Sequence, residues 1–467
     1  MPESADIAVA STSRRVWQLA WPTIISNLLF TTVGFMHIKI VSGLGTHAVA
    51  AVTTGHRVFF LVQAILMGLS VATTALVARH WGARDRRGAE MVNWTSLGLA
   101  MILSGILSIP VLTMPDTIAG LFGLDKKSTD AAASFIFWLG LFNISAAINL
   151  ILSTSLRATG NVITPLVFLF FSSSLNVLFG FLLAFGVGPF PPLGVSGVAL
   201  GGGSAGFLIT IAFVLFWWRG KFNLTAVKQA AIDRGIARQL VSIGAPSVLE
   251  QGIIQLSFLV FFGIVGRYGT QAYAAYGIGI SLVSFSIVVG FGFGIATATL
   301  VGQQLGAGHR ELAVKSGWRG LRMAAAAMTL LSILLVWFAG DLAEFIIDDP
   351  LVVKYTTIFI YFIALSQPIM ACEFTLGGAL RGAGDTRFPL IATFLGIAFG
   401  RLLPAWLFLS LGLSVYWIFA VMMFDYLIKA TLLTLRYRSN KWLHTAAVVT
   451  APASDAPETI DSDKKNT

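Results

Sequence analysis

The stretch WPTIISNLLFTTVGFMHIKIVSGLG, residues 21–45, decides the fold of this chain. It is an apolar run that opens at Pro22 and closes at Gly45, and as a helix it is long enough to cross the ~30 Å hydrocarbon core of a membrane. Two of its residues, His37 and Lys39, are ionisable, which is rare inside a membrane and usually functional. The stretch therefore predicts a membrane-spanning helix that contains a candidate site.

The same breaks in the sequence return at a constant offset in the second half of the chain, where Pro22 is matched by Pro246 and Gly45 by Gly269. A constant separation between so many Gly, Pro and Arg residues indicates an internal duplication, the plan on which many secondary transporters are built. The other matched pairs are Gly82 and Gly306, Arg157 and Arg381, Gly160 and Gly384, and Pro165 and Pro389.

The composition excludes an ordinary soluble protein, because 56% of the residues are hydrophobic and only 11% are charged. The net charge of +10 would suggest nucleic acid in a soluble protein. Here the positive residues lie in short loops between apolar runs, which is typical of the cytoplasmic side of a membrane protein. We therefore expect the lipid bilayer, and no nucleic acid, as a partner. Cys372 is the single cysteine, so an intrachain disulfide is excluded.

Twelve apolar runs can each cross a bilayer, and we predict an all-α membrane protein with two pseudo-symmetric six-helix lobes. An even number of spans puts both termini on one side, and the excess of Lys and Arg makes that side cytoplasmic. The predicted location is the inner (plasma) membrane, with multiple passes. The predicted parts are an N-terminal cytoplasmic tail (1–16), an N-lobe (17–218), a cytoplasmic linker (219–240), a C-lobe (241–435) and a C-terminal cytoplasmic tail (436–467). The linker is basic and helical in pattern from 219 to 238, and the tail after Trp442 is expected to be disordered.

Carboxylates lie inside predicted spans of the C-lobe only. Glu250 follows Pro246 by one helical turn and has Gln251 and Gln255 close by in sequence. An acid in mid-membrane is usually buried, paired and functional, so Glu250 is a candidate ion-coupling residue. The alternative is a structural hydrogen bond to a neighbouring helix.

The other two in-span acids have plainer explanations. Glu373 lies eight residues before Arg381, which leaves an interfacial ion pair and a site equally open. Asp425 and Lys429 are four residues apart, a spacing that predicts a local ion pair on one helix face.

His37 is the second candidate for ion coupling, because an imidazole titrates near pKa ~6.5. A neutral histidine bonded within the bundle is the alternative. Lys39, two residues on, faces nearly the opposite side of the helix and is expected to extend to the outer interface. Asn149 and Asn176 place polar groups on the fourth and fifth spans, where they can line a cavity or hold helices together.

Motifs for nucleotide or metal chemistry do not occur. The glycines of 290–294 and 377–384 lie within or at the ends of apolar helices, whereas a phosphate-binding fingerprint must follow a strand. No GxxxxGK[ST], HExxH or Cys/His cluster is present. We expect no cofactor, no metal site and no enzymatic activity.

Several segments together resemble the multidrug and toxic compound extrusion (MATE) family, closest to its prokaryotic DinF-like branch, over nearly the whole chain from Arg14 to Trp442. The resemblance implies twelve helices in two lobes that form a V, and export of organic, often cationic, amphiphiles in exchange for H⁺ or Na⁺ by a monomer. The segments are PSVLEQ (246–251), GTQAYAAYGIGISL (269–282), GFGFGIATATLVGQQLGAG (290–308), ALRGAGDTRFP (379–389), PPLGVSGVALGGG (191–203) and RYRSNKW (436–442).

The chain departs from the branch pattern in the N-lobe. Branch members usually have an aspartate, a proposed proton site, where this chain has His37, and the second aspartate of the fifth helix is replaced by Gly180. Asn176 of the same motif is kept. Glu250 falls where other branches place a coupling glutamate, so Glu250 and His37 are the expected coupling residues. The expected substrate cavity contains Asn149, Asn176, Gln251, Gln255 and Tyr276.

Two alternatives remain beside a multidrug antiporter. One is a lipid-linked saccharide flippase of the same superfamily, which would suit a basic cavity. Twelve spans, and only Lys39 and Arg401 as in-span cations without a nearby acid, favour the exporter. The other is a non-transporting membrane scaffold with a degenerate MATE fold, suggested by the missing aspartates.

Overall fold

The computed structural model describes residues 2–226 and 232–444, and within these ranges it contains helices and no strands. Twelve helices of this described part are long and apolar enough to cross a membrane, which confirms the predicted number of spans. The helices are α1 (Pro2–Ser42), α2 (Thr46–Gly82), α3 (Arg86–Thr113), α4 (Pro115–Gly120), α5 (Lys126–Ala158), α6 (Ile163–Phe185), α7 (Gly194–Trp218), α8 (Arg234–Gly266), α9 (Thr270–Gly306), α10 (Arg310–Trp337), α11 (Ala339–Ile346), α12 (Pro350–Gly382), α13 (Arg387–Leu395), a π-helical segment (Gly396–Leu402), α14 (Leu403–Ser410) and α15 (Val415–Arg438).

The duplication seen in the sequence is reproduced helix by helix. Five helices of the first half begin before their counterparts by the same offset that separates Pro22 from Pro246, including the short α4 and α11. The pairs are α2 and α9, α3 and α10, α4 and α11, α5 and α12, and α6 and α13.

Glycines fix the turns at equivalent places in both halves. Gly45 and Gly269 precede α2 and α9 with φ of +104° and +105°. Gly160 and Gly384 follow α5 and α12 with φ of +94° and +86°. Because only glycine adopts such angles readily, these repeated residues set the same chain reversals in each lobe.

Two predicted boundaries differ from the structure. Helix α1 begins at Pro2, a favourable first helical residue, so the described N-terminal tail continues the first span as helix. In the linker, residues 219–226 form turns and bends, because Gly220 has φ of +66° and Phe222 and Leu224 are buried against the N-lobe. Its predicted helical pattern is therefore wrong there, and α8 already begins at Arg234. Residues 227–231 and the tail beyond 444 lie outside the described residues.

The two lobes contact each other on the side of the bundle where α1 begins and α15 ends, here called the terminus side. At that side α2 and α9 approach until glycine alone fits: a Cβ on Gly82 would lie 1.9 Å from the Gln303 carbonyl oxygen, and one on Gly306 would lie 1.9 Å from that of Arg79. Residues 82 and 306, and 79 and 303, are equivalent positions of the repeat. The contact is therefore a pseudo-two-fold pair.

Side chains at the same two positions tie each lobe to the other. The Arg79 guanidinium donates from Nη2 to the carbonyl oxygen of Ala383, the C-cap of α12, at 2.9 Å. The Gln303 amide donates from Nε2 to the carbonyl oxygen of Ala158, the last residue of α5, at 2.8 Å. Carbonyls at helix ends lack intrahelical partners, so these bonds satisfy groups that would otherwise be open.

The lobes separate toward the other end, here called the far side. In the described residues, the apolar cluster at the far side of the N-lobe is made of N-lobe residues alone, from Val41 to Ala199. Large side chains of α1, α2 and α9 are exposed there, as in Phe35, Phe60 and Phe285. The structure is therefore a cleft closed on the terminus side and open on the far side.

Candidate functional site

His37 is held inside the N-lobe by Asn176, so two of the predicted site residues meet. His37 lies in the far half of α1 and is 5% exposed, while Asn176 lies in mid-α6. The two side chains are joined by a 2.6 Å contact between His37 Nε2 and Asn176 Oδ1. An amide oxygen only accepts, so Nε2 carries the proton and donates.

A second histidine, His56 of α2, completes a chain of hydrogen bonds. Its Nε2 lies 3.4 Å from His37 Nδ1, and the two ring centres are 5.5 Å apart with planes tilted by 20°. The nitrogens therefore lie between the two rings, and the rings meet edge to edge. With Nε2 of His37 protonated, a neutral His37 accepts at Nδ1 from His56 Nε2–H. The chain runs from His56 through His37 to Asn176.

Sequence reasoning missed His56, although a signal was available. Gly45 makes the sharp turn between α1 and α2; His37 precedes it by eight residues and His56 follows it by eleven. Antiparallel helices joined by so short a turn bring residues at similar distances from it to similar depth. Phe135 of α5 packs edge-on against His56 at 5.5 Å and separates the pair from the rest of the lobe.

Glu250 is 1% exposed and points into the C-lobe. Arg381 donates to both of its oxygens, from Nη2 at 2.6 Å and from Nε at 3.2 Å, and Thr393 donates to Oε1 at 2.8 Å. A bidentate guanidinium–carboxylate pair is among the stronger ion pairs in proteins. The duplicated Arg157 of the N-lobe has no such acid, because Ser26 stands at the position that corresponds to Glu250.

The remaining in-span acids form one buried cluster with two cations. Lys429 bridges Asp425 and Glu373, with Nζ 3.2 Å from Asp425 Oδ1 and 3.3 Å from Glu373 Oε1. The expected pair of Asp425 and Lys429 is confirmed, whereas Glu373 pairs with Lys429 and not with Arg381. Arg401 binds Asp425 through Nη2, so it is not a cation without an acid as the sequence had indicated.

The π-helical segment positions this charged cluster. Arg401 lies in it, and its guanidinium is 5.8 to 6.0 Å from the ring centres of Phe258, Phe261 and Tyr426. Gly400 lets α15 come close, since a Cβ there would be 2.7 Å from the Cα of Asp425. An extra residue in a helical turn is a common device for directing a side chain at a functional site.

Two of the predicted cavity residues face the cleft and two do not. Gln251 and Gln255 of α8 are half-buried and continue the helix face that meets α2 at Gly244. Asn149 instead donates to Thr210 of α7 at 3.5 Å, beside a groove of about 450 Å³ between α5 and α7. Tyr276 is fully buried within the C-lobe, with its ring centre 4.6 Å from that of Phe262.

A group of three or more His, Cys, Asp or Glu side chains that could hold a metal is absent from the described residues. The N-lobe offers an imidazole pair, and in the C-lobe each in-span carboxylate already contacts a cationic side chain.

The MatE family model matches this chain twice, at residues 22–182 and 246–407, and the two matches begin at the equivalent residues Pro22 and Pro246. A probable multidrug resistance protein NorM from Thermotoga maritima is 27% identical over 440 residues, which cover 91% of this chain and 92% of that protein. The multidrug resistance protein PmpM from Pseudomonas aeruginosa is 24% identical and covers 84% of this chain and 83% of its own length.

Solved structures show the same fold. A variant of the MATE transporter VcmN from Vibrio cholerae superposes with a TM-score of 0.87 at 19% identity, covering 94% of this chain and all of that one.

Proposed function

Because this chain belongs to the MATE family of membrane transporters, we propose that it exports small amphiphiles in exchange for protons. The names of its relatives, multidrug resistance proteins, support the export of toxic compounds. The observation on which the choice of the proton rests is the hydrogen-bonded chain of His56, His37 and Asn176. An imidazole gains a proton near neutral pH, and it offers Na⁺ no negative charge.

Transport requires that the proton and the substrate favour different conformations of the cleft, since a ligand without such preference shifts nothing. His37 and His56 are on α1 and α2, the two helices that form the N-lobe wall of the cleft. A proton added to His37 Nδ1 turns that nitrogen from acceptor to donor, so the bond from His56 must reverse or break. The pairing of α1 and α2 then changes, and with it the wall that the substrate meets.

Glu250 is proposed to act as the ion-linked residue of the C-lobe through its pair with Arg381. Protonation of the carboxyl would replace a charge-assisted bidentate bond by weaker neutral ones. Arg381 lies in the last turn of α12, two residues before Ala383, whose carbonyl oxygen accepts from Arg79. A change at Glu250 would therefore act on the contact that closes the terminus side.

The test is His37→Gln in everted membrane vesicles, with dye efflux measured from about pH 6 to 7.5, where an unperturbed imidazole titrates. We expect the pH dependence of efflux to disappear, because glutamine keeps a donor for Asn176 but cannot take up a proton. His47→Gln, at the start of α2 and outside the chain of bonds, is the control and should keep the wild-type profile. An unchanged profile in His37→Gln would show that His37 is structural only. Vesicles that never move dye would favour the scaffold alternative.

The proposed orientation has both termini in the cytoplasm of the cell, in the plasma membrane, because Lys and Arg are concentrated on the terminus side. Cysteines placed at positions 86 and 310 should resist an impermeant thiol reagent in intact cells, and rapid labelling of either would reverse the orientation. We also propose a monomer, because the two pseudo-symmetric lobes of one chain already form the two-fold arrangement that a symmetric dimer would otherwise provide. Light scattering in detergent should give a protein mass near 50.0 kDa; a dimer mass would refute this.

A further inference from the structure

The residues that face the open cleft can be identified from the contacts on the terminus side. Four helices meet between the lobes, α1 and α2 of the N-lobe and α8 and α9 of the C-lobe. Ile24 of α1 packs against Gly292 of α9, and Gly68 of α2 packs against Gly244 of α8. Eleven residues make about three helical turns, so a residue eleven positions farther toward the far side lies on the same face, roughly 16 Å away. There the lobes have separated, and that face borders the cleft.

In the N-lobe, the residue eleven positions after Ile24 on α1 is Phe35. Because α2 runs in the opposite direction, the residue eleven positions before Gly68 is the equivalent one, and it is Arg57. Lys39 follows Phe35 by one turn, and Phe60 follows Arg57 by less than one turn. All four side chains are exposed. Arg57 therefore lies well inside α2, eleven residues after its first residue Thr46, and Lys39 borders the cleft.

On the C-lobe side the same step leads to Gln255 on α8 and Ser281 on α9. Gln251 and Phe285, one turn from them toward the terminus side, continue these faces. These four residues are polar or aromatic, and none of them is charged. Glu250 is not part of it, because its carboxylate is directed to Arg381 within the C-lobe.

Acids do not balance the two cations. From residue 18 to residue 84, which includes all of α2, the sequence contains no Asp or Glu. In the described part of the chain, neither Lys39 nor Arg57 forms a salt bridge. The acids of the far side lie on or just before α4, α5, α11 and α12, and α4 and α11 pack mainly on α5 and α12, outside the cleft. They are Asp116, Asp125, Asp130, Asp341, Glu344, Asp348 and Asp349.

We propose that the substrate is an anionic amphiphile, whose carboxylate, sulfonate or phosphate lies between Lys39 and Arg57 and whose flat apolar body packs on Phe35, Phe60 and Phe285. The proposal rests on the proposed function and specifies the sign of the charge on the exported substrate. A cationic substrate would meet two positive charges with no acid of the described residues in reach, and like charges in a site of low dielectric repel strongly. An anion instead receives charge-assisted hydrogen bonds from both side chains. The molecule bound in the cleft is a small, membrane-soluble compound.

The experiment uses the full chain in proteoliposomes with an imposed proton gradient. Two probes of similar size are compared, an anionic naphthalene sulfonate dye and the cationic dye ethidium. We expect gradient-driven movement of the sulfonate at the lower KM. Arg57→Gln should raise that KM about tenfold, the loss of one charge-assisted contact worth about 1.4 kcal/mol. Lys39→Gln should act in the same direction, and neither change should weaken transport of ethidium.

Lys354→Gln and Arg267→Gln are the matched controls, because both residues are exposed on the far side but lie outside the cleft faces. Their KM for the sulfonate should equal that of the wild type. Preference for ethidium in the wild type, or an unchanged KM in Arg57→Gln, would overturn the anionic assignment while leaving the efflux function standing. Failure to move either dye would refute the proposed function itself. Flipping of fluorescent phosphatidylglycerol without dye movement would overturn the small-molecule proposal in favour of a lipid flippase.

Discussion

The N-lobe and the C-lobe repeat the same helices at a constant offset along the chain, yet their buried charges have opposite character. The N-lobe buries an imidazole pair, and neither α1 nor α2 has an acid between residue 18 and residue 84. The C-lobe carries three carboxylates within its spans, and each contacts a guanidinium or ammonium group. The same backbone fold therefore carries two kinds of ionisable group. The N-lobe imidazoles can gain a positive charge, whereas the C-lobe carboxylates are already neutralised by cations.

The difference shows which part of each lobe the duplication preserves. Glycines at turns and at the closest helix contacts are kept in pairs, because backbone geometry leaves no alternative there. Ionisable side chains are not kept: Ser26 corresponds to Glu250, and Phe261 corresponds to His37. We therefore expect changes at the charged C-lobe cluster to affect stability, and changes at the N-lobe histidines to affect the response to pH.

Arg401→Leu should have the largest effect. It leaves the fully buried Asp425 with Lys429 alone, and breaking a buried ion pair costs about 3–5 kcal/mol. Thermal unfolding of the purified protein in detergent should show a large fall in Tm, whereas His37→Gln should change it little. The double variant Arg401→Leu/Asp425→Leu removes both charges and should recover much of the loss. Equal Tm values for Arg401→Leu and wild type would contradict the contrast between the lobes.

Glu250→Gln should have an intermediate effect on stability and a severe one on transport. The amide retains hydrogen bonds to Thr393 and Arg381 but loses the ionic part of the bidentate pair, worth about 1.5–3 kcal/mol. Expression and detergent elution should stay normal while proton-driven efflux falls more than tenfold. Glu344→Gln, on the exposed side of α11, is the control. Normal efflux in Glu250→Gln would assign coupling to the N-lobe alone.

Asp85→Ala should have the smallest effect, and it tests a further difference between the two halves. Asp85 is the N-cap of α3, and the N–H of Gly88, with further help from His80, holds the pKa of its carboxyl below the usual range. Loss of such a cap costs about 1 kcal/mol. Because the native pKa is depressed, this stabilisation is complete above the ordinary aspartate pKa of ~3.9 and is lost as pH falls through the lower native value.

Unfolding of wild type and Asp85→Ala should therefore differ at pH 6 and converge in strong acid. The C-lobe counterpart, His309, makes no side-chain cap to α10, so His309→Ala should leave stability unchanged at pH 6. A difference that persists undiminished to low pH would show that the cap does not depend on the charge of Asp85.

Most of the fold was accessible from the sequence, because apolar length and repeated glycines are local signals. Pro22 and Pro246 marked the two repeats, and Gly45 and Gly269 marked equivalent turns before α2 and α9. The helical prediction for the linker failed since a polar, basic pattern does not reveal that Phe222 and Leu224 fold back on the N-lobe.

The candidate site was only partly accessible, because ion pairs between distant helices leave no local pattern. The spacing of Asp425 and Lys429 gave one contact, but the partner of Glu250 lies 131 residues away and that of Glu373 lies 56 residues away. His56 and Arg57 were overlooked because the sequence alone does not show that their helix begins as early as Thr46, which places both residues inside a span. The sequence shows the types of these two residues but not how deep they lie in the membrane.

The reciprocal contact of Gly82 with Gln303 and of Gly306 with Arg79 resembles the interface of a two-fold dimer. In separate subunits such an interface would have to be strong, since every opening would risk losing the partner. Here the covalent connection between α7 and α8 keeps each half at a high effective concentration around the other. The closing contact can therefore be weak enough to open in every transport cycle, and it re-forms without a search.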